Sequence, residues 1–317
     1  MSSNFADRLS KRIQETGNPT IMGLDPVLDY IPDSILSYFR AQCADPAMAS
    51  GLAIYEFNRR LIDGVADLIP AIKPQLAYYE QYGVHGLEAL RQTIHYAQGK
   101  GMLVVADGKR NDIGSTAEAY ARAWLGETLL IDGSSAAIHG ADALTVNAYL
   151  GIDGIQPFID LCQQGGKGIF ILVRTSNPSA GDLQDLILSD GRPVYEAMAA
   201  KVAEWGEALT GNCGYSPVGA VVGATWPLQA SRLRKLMPRA LILVPGYGAQ
   251  GATAEDAANS FGPDGGGAIV NASRSLMVAW KKQQMDHEEF DQAARREALR
   301  MKADLRQALE KSGRGIV

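Results

Sequence analysis

Asp107, Lys109, Arg110 and Asp112 place four charges within six residues, directly after the apolar run MLVVA. An active site can use alternating charge in a small volume, because each carboxylate favours the ammonium form of a lysine and each ammonium favours the carboxylate. A solvated loop, or a structural ion-pair cluster at a strand end, would hold the same charges for other reasons. On an extended backbone Asp107 and Lys109, two residues apart, face the same way. A protonated lysine beside developing negative charge can serve as a general acid. Asp112 lies further on, in a loop leading to the helical pattern GSTAEAYARAWLG, and could reach sideways.

Other chemistry-bearing residues recur after apolar runs. Lys73 follows LIPAI, and a lysine turned inward there needs carboxylate partners, for which Asp25 and Asp107 are suited. The alternative is a lysine that snorkels to solvent. RTSNPSAG offers Ser176 and Asn177 as donors and acceptors for a polar planar ring, or as ordinary turn chemistry before Pro178. GYGAQG, Gly246 to Gly251, matches GxGxxG, but it lies late in the chain and lacks the acidic residue of a dinucleotide-binding unit. Its glycines, Gly248 among them, instead suit close backbone approach to an anion. Gln250 adds a neutral donor, and Arg274, after Asn271 in NASR, adds a guanidinium fork.

These residues need positioning elements. Eight short apolar runs read as strands: 20–25, 71–79, 102–108, 143–147, 168–176, 219–225, 240–246 and 267–273. Several are apolar on both alternations, the pattern of parallel strands covered on both faces. Helical patterns follow each strand, among them LAIYEFNRRLIDGVADLI and PVYEAMAAKVAEWGEAL. The pattern predicts a (β/α)8 barrel in a single domain spanning 1–317, with an open doubly wound sheet as the rival. Long insertions are expected after strand one (26–51) and strand five (177–192), the second suited to covering a substrate. The tail from Asp286 to Gly313 reads as an exposed amphipathic helix with a packing or oligomer role. In such a barrel functional groups gather at the C-terminal strand ends, with an anion site after strands seven and eight. The singled-out residues fall there.

Composition narrows the function classes. The formal charge of −5 gives no footprint for nucleic acid or an anionic membrane. No signal peptide or membrane span is expected, and Cys43, Cys162 and Cys213 form neither a disulfide framework nor a CxxC pair. A cytoplasmic protein is expected. His85, His95, His139 and His287 lack partners at metal-ligand spacing, so no metal site is predicted.

DGKRNDIGST, Asp107 to Thr116, resembles the D-x-K-x-x-D-[IV]-x-x-T signature of orotidine 5′-phosphate decarboxylases. GLDP around Asp25, IKPQ around Lys73, TSNP around Ser176, PGYGAQG and NASR fit in chain order, in the wording of the longer bacterial subgroup. The resemblance implies a homodimeric barrel that converts orotidine 5′-phosphate to uridine 5′-phosphate and CO2 without cofactor. It implies that Lys109, Asp107 and Lys73 act from one chain while Asp112 and Thr116 cross from the other. It further implies that Asp25 and Lys73 hold ribose hydroxyls, Ser176 reads the pyrimidine, and Gln250 and Arg274 bind phosphate. Lys109 would stabilise and protonate the carbanion at ring C6. Barrel relatives using a Mg²⁺-bound enediolate of a sugar phosphate, lysine Schiff-base aldolases and a non-catalytic phosphate-binding barrel are the alternatives.

Overall fold

The computed structural model describes residues 4–248 and 250–315. Eight parallel strands close into a barrel: β1 Thr20–Leu24, β2 Ala71–Pro74, β3 Leu103–Arg110, β4 Ala143–Val146, β5 Gly168–Arg174, β6 Ser216–Val222, β7 Ala240–Val244 and β8 Ala268–Ala272. Each pairs with its sequence neighbour, and β1 with β8 closes the ring through Thr20↔Val270 and Ile21↔Asn271. Closure leaves no exposed sheet edge, which rules out the open doubly wound alternative.

The side-chain period of two sorts the strands into an inner and an outer layer. Ile21, Ala71, Leu103, Val105, Ala143, Phe170, Leu241, Leu243 and Ile269 fill the barrel interior. Met22, Ile72, Val104, Ala106, Leu144 and Val270 face the surrounding helices. Such double-sided burial explains why the strands read as continuous apolar runs. Extending the inner positions by one step reaches Lys73 from Ala71, Asp107 from Val105, Thr145 from Ala143 and Asn271 from Ile269. The alternation that builds the core therefore also delivers polar groups to the barrel mouth.

The opposite end is closed by helix Phe5–Thr16, which the sequence reading did not assign. Its Phe5 ring meets Phe170 edge-on, centroids 6.1 Å apart, and Phe5, Ala6 and Leu9 join the inner core. Arg8 ties the plug to the buried Asp142 at 2.6 Å.

Two expectations are amended, and one small element is added. The second strand stops at Pro74 instead of running to residue 79, and Ala77–Glu80 forms a helical turn. A small antiparallel hairpin, Thr128–Leu129 with Ser135–Ala136, precedes β4; its Asp132-Gly133 turn carries the hairpin signal that went unread. The tail is helical over Phe290–Lys311, but it is exposed on one side only. Phe290, Ala294, Met301 and Leu305 are buried, chiefly against helix Pro46–Val65 and the segments following β7 and β8. Among the described residues no helix is long and apolar enough to cross a membrane.

Candidate active site

At the C-terminal ends of the strands lies a cavity of about 600 Å³. Asp25, Lys73, Asp107, Lys109, Ser176, Asn177, Gln250, Asn271 and Arg274 all line it. At its floor Lys73 Nζ lies 2.6 Å from Asp107 Oδ2, and Lys109 Nζ lies 2.7 Å from Asp107 Oδ1. Gln75 Nε2 donates to Oδ2 at 3.1 Å, and the Thr145 hydroxyl donates to Oδ1 at 2.8 Å. Four donors thus hold one buried carboxylate.

Burial by itself would raise the pKa of Asp107, yet the ammonium groups of Lys73 and Lys109 hold it well below the usual carboxylate range. Burial would lower that of Lys73, but Asp107 and then Asp25 more than offset this, and the net direction is upward. The pair is therefore charged across the neutral range, which answers the choice between inward and snorkelling lysine. One oxygen of Asp25, Oδ1, is buried without a protein partner, and so is Asn271 Oδ1. Buried acceptors without donors are rare in a folded chain, and these two are free to accept from a ligand.

The sign of the linkage gives a stability prediction. Asp107 has a depressed pKa, so its contribution is complete above about pH 4 and is lost as pH falls through the folded-state value. Lys73 is raised, so its contribution is complete below about pH 10 and is lost as pH rises through its folded-state value. Asp107→Asn leaves Lys73 buried beside a neutral group and should cost roughly 3–5 kcal/mol. Urea denaturation of both proteins should give a constant difference between about pH 5 and about pH 7, narrowing below about pH 4. A difference unchanged down to about pH 2 would contradict the assigned ionisation.

The upper wall comes from the loops after β5, β7 and β8. Gly246, at φ +103°, takes a backbone conformation that favours glycine, and a β-carbon there would lie 3.2 Å from Gln250 Oε1. Arg274 opens the short helix Arg274–Met277, is exposed, and forms no ion pair among the described residues. Gly248 does not line the cavity: its N–H donates to Ala252 O at 2.9 Å, closing the loop on itself. Tyr247, between the cavity and the tail helix, donates its hydroxyl to Asp304.

Both insertions reach the site. Tyr30 from the first lines the cavity. From the second comes Gln184, which accepts from the Thr175 backbone N–H at 3.0 Å and donates to its hydroxyl at 2.8 Å. Arg174, buried at the end of β5, pairs with Asp185 at 3.0 Å and stacks on Trp226, 4.2 Å from the ring centroid. Gln75, Thr145, Gln184, Tyr30 and Tyr78 were not singled out from the sequence. Gln75 and Thr145 carry the same strand-end signal as the residues that were; Gln184 carries none.

Asp112 and Thr116 do not line this cavity. The Asp112 carboxylate accepts from the Ile113 backbone N–H at 2.8 Å, and Thr116 is exposed on helix Gly114–Trp124. Nearby Ile113 and, on the loop after β4, Tyr149 and Leu150 are exposed apolar side chains.

A closed parallel barrel whose strand ends converge on a Lys–Asp–Lys array around a buried carboxylate defines a (β/α)8-barrel enzyme. Residues 53–285 match the Orotidine 5′-phosphate decarboxylase / HUMPS family. An orotidine 5′-phosphate decarboxylase from Rhodopirellula baltica is 42% identical over 306 residues, covering 95% of this chain and 99% of the relative. One from Caldicellulosiruptor saccharolyticus is 40% identical, covering 92% and 94%. The solved structure of Leishmania donovani UMP synthase is 30% identical with a TM-score of 0.72, covering 96% of this chain and 57% of the synthase. The chain belongs to the orotidine 5′-phosphate decarboxylase / HUMPS family.

Proposed function

We propose that this chain decarboxylates orotidine 5′-phosphate to uridine 5′-phosphate in pyrimidine biosynthesis, working in the cytoplasm as one barrel domain. The observation that carries the reading is the Asp107 carboxylate held between two lysine ammoniums at the cavity floor. Loss of CO2 leaves the electron pair of the broken bond on ring C6. The Lys109 ammonium, held against Asp107, stabilises that charge and then gives its proton to C6. No metal or organic cofactor is needed, because one lysine supplies both the counter-charge and the proton.

Asp25 and Lys73 hold the ribose hydroxyls; the unpartnered Asp25 oxygen supports this role. Ser176 and Asn177 face the pyrimidine, and Gln250, Asn271 and Arg274 take the phosphate side. Phosphate lies far from the bond that breaks, so its binding energy can hold the upper loops closed over the ring.

The working form is a homodimer in which Asp112 and Thr116 complete the partner's site. Support comes from their exclusion from their own chain's cavity and from the exposed apolar side chains Ile113, Tyr149 and Leu150 beside them.

The reading is tested by incubating the purified chain with orotidine 5′-phosphate. Uridine 5′-phosphate and CO2 should appear in equal amounts; substrate that persists unchanged would overturn it.

A further inference from the structure

Lys109 has a backbone φ of +48°, one of two non-glycine residues with positive φ among the described residues. A lysine gains nothing locally from this conformation, which costs on the order of 1–2 kcal/mol and persists only where its surroundings impose it. The cause lies in the pairing of β3 with β4. Ala106 pairs with Leu144 and Arg110 with Val146, so three residues of β3, Asp107, Gly108 and Lys109, stand opposite Thr145 alone. Through this bulge, not through a regular pleat, the Lys109 side chain comes onto the Asp107 carboxylate. Gly108 fits at its centre because a β-carbon there would lie 2.5 Å from Leu76 Cδ1.

Thr145 meets the bulge at both ends. Its hydroxyl oxygen accepts from the Lys109 backbone N–H at 3.0 Å. The same hydroxyl donates to Asp107 Oδ1 at 2.8 Å, the oxygen that also takes the Lys109 ammonium. With Thr145 at 1% exposure, both contacts are shielded from bulk solvent. A single oxygen therefore substitutes for the ladder hydrogen bond that the bulge removes and fixes the carboxylate against which the ammonium rests.

We propose that Thr145 is a positioning residue for decarboxylation, holding Lys109 in its left-handed backbone conformation and Asp107 in register with it. The proposal rests on the assignment of Lys109 as the proton donor. It makes Thr145 matter in the transition state, when the ammonium must sit against C6, and little in ground-state binding, which uses the ribose and phosphate contacts.

Thr145→Val keeps shape and removes the hydroxyl; Thr145→Ser keeps the hydroxyl and removes the methyl. The valine variant should lose about 10²-fold in kcat with KM within about threefold of the parent. The serine variant should retain kcat within about fivefold. Should the valine variant fail to fold, Thr145→Ala against Thr145→Ser gives the same comparison, with the loss confined to alanine. Parent-like kcat in the variant lacking the hydroxyl, or equal losses with and without it, would overturn the proposal. An inactive parent would instead count against the decarboxylase assignment, so the two failures are distinguishable.

Discussion

Lys109→Ala should lower kcat for orotidine 5′-phosphate by at least about 10⁴-fold while leaving affinity for uridine 5′-phosphate within about tenfold of the parent. The magnitude combines two losses. General acid catalysis contributes about 10²–10⁴-fold, and a charge preorganised at the site of developing negative charge contributes about 10²–10³-fold. Lys73 cannot substitute: its ammonium is committed to the opposite oxygen of Asp107, 2.6 Å away. Binding survives because the proposed product contacts lie on Asp25, Ser176, Gln250 and Arg274, along other strands of the wall. Stopped-flow or long-incubation assays beside calorimetric titration with product separate the two quantities. Near-parent turnover in this variant would remove Lys109 from the chemistry.

Mixing two inactive variants should restore activity. Asp112→Ala and Lys109→Ala chains, combined under conditions of subunit exchange, should recover about one quarter of parental activity. Random pairing makes half of the dimers mixed, and one of the two sites in each mixed dimer then draws Lys109 from the Asp112→Ala chain and Asp112 from the Lys109→Ala chain. The geometry behind this is the separation of Asp112 from the cavity of its own chain: its carboxylate is turned to the Ile113 N–H on an exposed loop. Two mutations in one self-contained site would give no recovery at all. Zero recovery despite exchange proven by mass spectrometry would contradict the shared site.

The barrel was legible because burial on both faces leaves the strands as apolar runs, and all eight observed strands overlap those runs, with β6 beginning at Ser216 instead of residue 219. Lys73 and Asp107 were legible for a related reason, since each continues the inward alternation of its strand. Lys109 was assigned on the same argument, but it reaches Asp107 through a bulge and a left-handed backbone, not through the regular pleat. A lysine at such a position has no sequence signature, because the conformation is imposed by a neighbouring strand. Thr145 also continues the inward alternation, but in ALTV it reads as an ordinary β-branched strand residue, and its role exists only once β3 lies beside it. Gln184 is a tertiary partner of Thr175 nine residues back, inside a segment whose turn chemistry gave no direction. The plug helix Phe5–Thr16 shows the same limit: its apolar face has meaning only against Phe170 at the barrel floor.

The most direct test of the account is decarboxylation without metal. The purified chain, in excess EDTA, is given orotidine 5′-phosphate while loss of the orotate absorbance and CO2 release are followed together. The Lys–Asp–Lys array predicts rapid turnover that added Mg²⁺ does not increase. No turnover in EDTA, with conversion of a sugar phosphate once Mg²⁺ is restored, would contradict it and assign the cavity to enediolate chemistry.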